Sequence, residues 1–262
     1  MKYTDGSEIM RSKPFATILM EYNSLPFYCD WCWNNCEQGP KKRRFRCKEC
    51  KIYYYCNEKC QKEAWFAYHK KECKYLRKSP SEDWISSVEN RLVLRVLARV
   101  RNGGEEAFEE LPDGRLVYFR DLQTNTEEVI ANEELYTVFN RILRNLRDMM
   151  KSKCPSEQEL LEIYGRIVTN SHQPYINPQA SYLGIFLCGS KVDHSCEPNA
   201  IWELDGNIQV FKTITDVESF DDIRISYLTN MNLDLPQDQR QILLRERFLF
   251  DCTCFKCANT DL

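Results

Sequence analysis

The chain has 262 residues, a formal net charge of −3 at neutral pH and 43% hydrophobic residues. This length can bury a substantial core without covalent cross-links, and no apolar run approaches the ~18 residues needed to span a bilayer, so we expect a soluble protein. Fourteen cysteines would suit a secreted disulfide scaffold, but the segment from Met1 to Arg11 is polar and lacks the apolar core of a signal peptide. The cysteines are therefore expected to be reduced thiols, many of them bound to metal.

The chain opens with two short apolar stretches, around Ile9-Met10 and from Phe15 to Met20, which predict short strands.

Eight potential zinc ligands follow, spaced as C-x2-C, C-x2-C, C-x3-C and H-x3-C. A C-x2-C turn directs two thiolates to one ion, and an i, i+4 pair places two ligands on one helix face, here within a helix expected over Asn57 to Lys71. Cys36 fits neither site. The predicted pairing is crossed, with Cys29, Cys32, Cys56 and Cys60 on one zinc and Cys47, Cys50, His69 and Cys73 on the other.

This segment resembles the MYND zinc finger, whose ligand order it matches at every position. The resemblance implies a docking role, with proline-rich peptides as partners. The Tyr53-Tyr54-Tyr55 run and Trp65 either line such a groove or form the small core of the module.

The region from Lys41 to Lys78 holds 14 Lys and Arg against 4 Asp and Glu, a net +10, so the rest of the chain carries −13. Such a basic module indicates either a nucleic-acid surface, a weak expectation, or the solvated lysines common in zinc modules.

Helical periodicity follows the finger. Apolar residues from Trp84 to Val100 predict one helix that ends at Asn102-Gly103-Gly104, and those from Leu135 to Leu146 predict a second. A third is expected around Leu160, Tyr164 and Ile167, with Ser156 as its N-cap. From residue 182 the pattern is that of strands, with the hairpin signal Asp205-Gly206-Asn207, and Pro236 to Phe250 predicts a closing helix. The predicted strands cover Tyr182 to Leu187, Ala200 to Leu204, Ile208 to Phe211 and Ile223 to Leu228.

A third zinc site is indicated by Cys252, Cys254 and Cys257, which leave a tetrahedral ion one thiolate short. Cys196, within Asp193-His194-Ser195-Cys196-Glu197-Pro198-Asn199, is the candidate for the missing ligand.

The order of these motifs resembles the SET and MYND domain (SMYD) family of protein-lysine methyltransferases. It runs from the finger through the helices, Asn170-Ser171, the Asp193 to Asn199 motif and Ile225-Ser226-Tyr227 to C-x-C-x2-C. The resemblance implies an α+β fold in which the finger is inserted into a split SET domain with a pseudoknot. The implied domains are residues 1–28 (first part of the SET domain), 29–73 (MYND finger), 74–153 (helical insert), 154–250 (core SET) and 251–262 (post-SET zinc segment).

The resemblance also implies S-adenosylmethionine and three zinc ions as cofactors, and a histone tail or another lysine-containing protein as substrate. The nucleus and cytoplasm are the expected compartments. Tyr227 corresponds to the tyrosine whose hydroxyl orients the methyl group and the amine. The positions implied for cofactor binding are Asn170, Ser190, Asp193, His194 and Phe250.

The sequence also departs from the family pattern. The family's first strand, with its Gly-x-Gly turn, is absent; Asp193 stands where the family has Asn, and His172 replaces a channel aromatic of the Phe type. An acceptor-only carboxylate in place of an amide changes what the cofactor pocket can bind. A second hypothesis therefore stays open: a catalytically impaired SET/MYND adaptor or transcriptional corepressor that binds partner proteins through its finger.

Overall fold

The computed structural model of the chain describes residues 2–37, 44–78, 81–178 and 180–258. Helices and short strands alternate, which confirms the predicted α+β class. No helix in these ranges is long and apolar enough to cross a membrane. Lys41 to Arg43 of the basic region, Gln179 and the last four residues of the predicted post-SET segment lie outside the described residues.

The first segment and the finger contain short strands and one interrupted helix. Both N-terminal apolar stretches form strands, as predicted. The side chain of Asn57 accepts a hydrogen bond from the backbone amide of Cys60 and so caps the helix. A π-helical turn over Trp65–His69 separates two α-helical parts. The elements are β1 (Glu8–Ser12), β2 (Pro14–Leu19), β3 (Phe45–Arg46), β4 (Tyr54–Tyr55), α1 (Glu58–Ala64) and α2 (Lys70–Leu76).

The middle of the chain is mainly helical. The single helix predicted from Trp84 to Val100 is wrong in one respect: Ser87 is extended and caps a second helix, so the run is divided. The polar stretch before Glu128, for which no element was predicted, contains a β-hairpin. Ser156 caps its helix as predicted. The elements are α3 (Glu82–Ser86), α4 (Val88–Val100), β5 (Phe108–Glu110), β6 (Leu116–Tyr118), α5 (Thr126–Ala131), α6 (Glu133–Met150) and α7 (Glu157–Asn170).

Strands dominate the last third, as predicted. Gly206 adopts φ 65° in the tight turn of the hairpin, a conformation that favours glycine. The strand predicted over Ile223 to Leu228 is only two residues long, and the closing helix ends at Phe248, where Leu249 turns left-handed. The elements are β7 (Ser171–His172), β8 (Tyr175–Asn177), β9 (Ala180–Phe186), β10 (Asp193–His194), β11 (Ala200–Asp205), β12 (Ile208–Thr213), β13 (Arg224–Ile225), α8 (Asn230–Leu233), α9 (Gln237–Phe248) and α10 (Phe255–Ala258).

Strands from the two ends of the chain pair with each other. One sheet has the order β1-β12-β11, and another has the order β2-β9-β7, with β8 also paired to β9. β10 lies parallel to β13, with Asp193 opposite Arg224 and His194 opposite Ile225. The finger and helical insert thus interrupt, in sequence, a body built from both ends, as a split domain requires. The domain boundaries themselves stay a prediction.

Two buried arginines of α4 join the helical insert to the finger and to β2. Arg91 donates to the carbonyl oxygen of Leu19, at 2.6 Å. Arg95, with no exposed side-chain surface, forms ion pairs with Asp30 at 3.1 Å and with Glu72 at 2.8 Å. Because both carboxylates belong to the finger, one guanidinium fixes the position of the finger against the helix.

The buried apolar side chains form two clusters. The large one extends over the finger, the helices and both sheets. The smaller one contains Leu228 and Leu244 together with Cys196, Cys252 and Cys257. The end of the described chain therefore depends on a small core of its own, built around the third group of cysteines.

Candidate functional site

Twelve ligand atoms form three groups of four, in the pairing that the sequence spacing predicts. Within each group the ligand atoms lie within 4.8 Å of one another, as four ligands of one tetrahedral ion must. The groups are Cys29, Cys32, Cys56 and Cys60; Cys47, Cys50, His69 and Cys73; and Cys196, Cys252, Cys254 and Cys257.

The sulfur–sulfur distances fit zinc and not disulfides. The Sγ atoms of Cys32 and Cys56 are 3.6 Å apart, those of Cys56 and Cys60 3.5 Å, and those of Cys196 and Cys257 3.6 Å. Two thiolates each about 2.3 Å from a tetrahedral zinc lie roughly 3.8 Å from each other, whereas a disulfide bond is about 2.05 Å long. The donor sets therefore fit three zinc ions.

A buried carboxylate orients the histidine ligand of the second group. Nε2 of His69 lies 3.6 Å from Sγ of Cys50, and Nδ1 lies 2.8 Å from Oε1 of Glu72. Because a carboxylate accepts, Nδ1 carries the proton and the lone pair of Nε2 is directed at the metal position. Burial opposes ionisation of Glu72, but Arg95 and His69 hold the pKa of Glu72 below its usual value.

The third group joins the end of β10 to the segment after α9. Two donors approach its sulfurs from outside the ligand set. Nη2 of Arg240 donates to Sγ of Cys257 at 3.5 Å, and Nε2 of His194 lies 3.3 Å from Sγ of Cys196. These contacts place the third zinc group directly beside the residues predicted for cofactor binding.

A cavity of about 1090 Å³ lies beside this group. It opens between the β5–β6 hairpin, the end of α7, β10, β13 and the segment that follows α9. Cys252 and Cys254 also line it. The cavity brings together every residue that the sequence analysis assigned to the cofactor or to methyl transfer: Asn170, Ser190, Asp193, His194, Tyr227 and Phe250.

Tyr227 is surrounded by rings on the cavity wall. Its ring centroid lies 5.3 Å from that of His194, 5.1 Å from Phe248 and 6.1 Å from Phe250. Its hydroxyl donates to the carbonyl oxygen of Val192 at 2.8 Å. Burial raises the pKa of Tyr227, and the charge of nearby Asp193 acts in the same direction. The phenol is therefore neutral near pH 7, with its proton engaged and its oxygen lone pairs left to accept hydrogen bonds.

Several of the predicted cofactor residues already satisfy their side chains within the protein. Nδ2 of Asn170 donates to two backbone carbonyls at 2.8 Å each, so only Oδ1 remains as an acceptor. The hydroxyl of Ser190 donates to the carbonyl of Phe186 at 2.7 Å. Asp193 differs, because its side chain is exposed at the cavity and forms no salt bridge with the residues that the structure describes.

His172 lies away from the cavity wall. Its Nδ1 is 3.1 Å from Nε2 of Gln209, and its ring centroid is 5.9 Å from that of Phe186 and 6.2 Å from that of Trp202. Burial lowers the pKa of His172 to about 4. It is thus a neutral side chain packed beside aromatic rings, as the aromatic residue expected there would be.

The structure decides between the two interpretations of the finger aromatics. Tyr53 and Tyr55 are buried, with 1% and 0% of their surface exposed, so they form the core of the finger. Tyr54 and Trp65 are half-buried and remain available at its surface. Cys36, assigned to neither zinc site, is buried and lies in none of the three ligand groups.

Some functional neighbours were not found from the sequence. Glu72 lies three residues after His69 in a helix, a spacing that could have indicated the contact. Phe248 lies two residues before Phe250, but only the turn at Leu249 brings both rings to Tyr227. Arg240 contacts a zinc ligand and Arg95 contacts Glu72, the partner of a zinc ligand, through the tertiary fold, and no local pattern marks either arginine.

The comparisons with known proteins agree with this arrangement. The family model for the MYND finger matches residues 27–73. Histone-lysine N-methyltransferase SMYD3 of Homo sapiens is 28% identical over 264 residues, covering 98% of this chain and 57% of its own length. N-lysine methyltransferase SMYD2-B of Xenopus laevis is 26% identical, with 96% and 56% covered. Histone-lysine N-methyltransferase ASHR1 of Arabidopsis thaliana is 25% identical, with 98% and 51% covered.

The fold and the sites define an α+β protein with a MYND finger and a third, C-terminal zinc-binding group. The comparisons extend the similarity to proteins of the SMYD type over nearly the whole chain. The chain spans between 51% and 57% of the length of these three relatives.

Proposed function

We propose that the protein is an S-adenosylmethionine-dependent protein-lysine N-methyltransferase that acts on a histone or another protein. The observation that carries the proposal is the cavity in which Tyr227 meets the five residues assigned to the cofactor. Its volume, about 1090 Å³, lies slightly above the ~300–1,000 Å³ usual for ligand pockets. There is room for a cofactor and for the end of a second substrate. The names of the relatives support the same reaction.

The residues of the cavity fit this cofactor. S-adenosylmethionine supplies an activated methyl group on a sulfonium. Phe250 offers an aromatic face for the adenine ring, and Oδ1 of Asn170 is free to accept a hydrogen bond. Both ring nitrogens of His194 have partners inside the protein, so His194 contributes its ring face and its backbone.

Tyr227 would align the amine in this scheme. A lysine amine, whose usual pKa is ~10.4, must lose its proton before it can act as a nucleophile, and burial beside the aromatic rings around Tyr227 favours that loss. The neutral hydroxyl of Tyr227 already donates its proton to Val192. Its lone pairs can therefore accept a hydrogen bond from the amine and hold it in line. The rings of Phe248 and Phe250 exclude water from the same place.

The finger would provide the contact with partner proteins, by binding proline-rich peptides. Its half-buried Tyr54 and Trp65 are candidates for such a surface. Ten of the eleven described Lys and Arg residues between residues 44 and 78 are exposed, which also suits an acidic partner or, more weakly, nucleic acid.

We propose the nucleus and cytoplasm as the compartments of the protein, where histones and other protein substrates are found.

A second function is favoured by one observation. Asp193 presents an unpaired carboxylate to the cavity, at a position where the family has an amide. If this charge prevents cofactor binding, the protein is an adaptor or corepressor whose zinc groups remain intact.

Methyl transfer from labelled S-adenosylmethionine to a panel of histones and lysine peptides tests the first function. Wild-type protein is expected to label a lysine, and Tyr227→Phe to lower the rate by roughly 100-fold, since a lost orienting group costs that order. Tyr136→Phe, on α6 and outside the cavity, is the matched control and should keep the wild-type rate. Equal rates for wild type and Tyr227→Phe would contradict the role given to Tyr227. The absence of both bound cofactor and transfer to any substrate, with the zinc groups intact, would favour the adaptor.

A further inference from the structure

His194 lies between the third zinc group and Tyr227, and each of its ring nitrogens contacts one of them. Nδ1 is 2.9 Å from the backbone nitrogen of Tyr227, and Nε2 is 3.3 Å from Sγ of Cys196. The side chain is 8% exposed, so water has little access to either contact. Its position in β10, paired in parallel with β13, holds the ring between the two partners.

The first contact determines where the ring proton lies. A backbone N–H can only donate, so Nδ1 of His194 must accept and cannot carry a proton. A neutral imidazole with an unprotonated Nδ1 carries its proton on Nε2. The N–H of Nε2 is therefore directed at Sγ of Cys196. With its proton at Nε2, His194 cannot act as a metal ligand through that atom.

The second contact is the one that a zinc-bound thiolate requires. Four thiolates around one zinc ion carry a net charge of −2, and hydrogen bonds from outside the ligand set disperse that charge and orient the ligands. Two such donors are present: Nη2 of Arg240 at Cys257 and Nε2 of His194 at Cys196. Arg240 has no contact with Tyr227, whereas His194 has one through its other nitrogen.

We propose that His194 is a positioning residue that connects the third zinc group to the backbone of Tyr227. The zinc-bound thiolate of Cys196 fixes the orientation of the imidazole, and Nδ1 then fixes the start of the segment that carries the Tyr227 ring into the cavity. The third zinc group thus sets the position of Tyr227 in addition to holding the end of the chain. The inference rests on the hydrogen bonds and does not depend on methyl transfer.

The proton positions can be measured directly. The chain has three histidines, so long-range ¹⁵N–¹H correlation spectra of histidine-labelled, zinc-loaded protein resolve each ring. His194 is expected as a neutral ring protonated on Nε2, and His69, with its Nδ1 facing Glu72, as the opposite tautomer. A proton on Nδ1 of His194, in either a neutral or a charged ring, would overturn the proposal.

Two substitutions separate the two contacts. Asn can place an acceptor near the position of Nδ1 but does not reach Cys196, and Gln can place a donor near the position of Nε2 but leaves the Tyr227 amide unpaired. His194→Asn is expected to speed loss of one zinc ion to a chelator by roughly ten-fold or more, with the Tyr227 amide proton shift retained. His194→Gln should release zinc within about two-fold of the wild-type rate and move the Tyr227 amide shift.

Arg240→Gln is the control, because it removes a donor from the same zinc group without touching Tyr227. It should speed zinc loss and leave the Tyr227 amide shift unchanged. If His194→Asn and His194→Gln change zinc release and the Tyr227 amide to the same extent, the ring is only a packing element and the proposal is wrong. If either variant fails to fold, the tautomer of the wild-type protein still decides.

Discussion

At the scale of single residues, burial determines the protonation state of His172 and of Tyr227. His172 is partly buried beside Phe186 and Trp202, and its pKa is lowered to about 4. Tyr227 is shielded by three rings, and its pKa is raised. Both side chains are neutral at pH 7, whereas the carboxylate of Asp193 is exposed at the cavity and forms no salt bridge with the described residues.

The lowered pKa of His172 predicts how stability changes with pH. Between about 6.5, the usual histidine value, and about 4, the unfolded chain binds a proton that the folded chain does not. The contribution of His172 is therefore complete above pH 6.5 and is lost as the pH falls towards 4. The free energy of unfolding should decrease by about 1.4 kcal/mol per pH unit from this group.

His172→Phe isolates that contribution, because both proteins share all zinc ligands and their acid sensitivity. At pH 7 the variant should be less stable by roughly 1–3 kcal/mol, since Gln209 loses its partner. Urea unfolding at several pH values should show this difference shrinking below pH 6.5. A difference independent of pH would show that His172 is not held neutral by burial.

At the scale of the elements, one arginine of α4 joins three parts of the chain. Arg95 pairs with Asp30 and Glu72 of the finger and donates to a β2 carbonyl, that of Thr17, at 2.9 Å. Glu72 in turn orients His69. The position of the finger against the rest of the protein thus depends on the charge of Arg95, in the middle of α4. The sequence pattern of α4 predicts only an amphipathic helix.

Arg95→Met should lower the free energy of unfolding by about 3–5 kcal/mol, because two buried carboxylates lose their partner. Arg147→Gln is the matched control: its ion pair with Glu157, at 2.9 Å, is about half exposed on both sides, and its loss should cost less than about 1 kcal/mol. Chemical denaturation of both variants measures the difference. Equal costs would mean that Asp30 and Glu72 are stabilised without Arg95.

The elements that sequence patterns predicted best are those with local signals. Ser156 and Asn57 mark helix starts because capping is a contact within one turn, and Gly206 marks a hairpin because its backbone turn favours glycine. The β5–β6 hairpin also has such a signal, Pro112-Asp113-Gly114 with Gly114 at φ 87°, which the sequence analysis did not use. Its strands have three residues each, and Glu109 is fixed by Ser12 and by the Cys188 amide, which are distant in sequence.

At the scale of the whole molecule, the zinc groups were the most predictable feature, because the sequence directly gives the spacing between cysteine and histidine ligands. The need for Cys196 follows from counting four ligands to each ion, whereas the crossed pairing predicted for the finger is one of several that the count allows, and the structure confirms it. The cavity was predictable only through family resemblance: its residues come from α7, β10 and the segments around β13 and α9, and only the tertiary fold assembles them.

The number of zinc ions bound per chain tests the assignment of the ligands to three groups. Wild-type protein should contain three zinc ions per chain, and Cys254→Ser two, since it removes a ligand of the third group alone. The small core around Leu244 would then lose its metal, and proteolysis within residues 229–258 should become faster while the finger stays resistant. Three zinc ions in the variant would show that Cys254 is not a ligand.

The proposed methyltransferase function requires that the cavity beside Tyr227 bind S-adenosylmethionine. Calorimetric titration of the cofactor into protein with three measured zinc ions per chain tests it most directly. We expect saturable binding of one molecule per chain, weakened by Phe250→Ala because the adenine would lose an aromatic face. If zinc-replete wild-type protein shows no saturable binding, the methyltransferase assignment is wrong and the adaptor function is left.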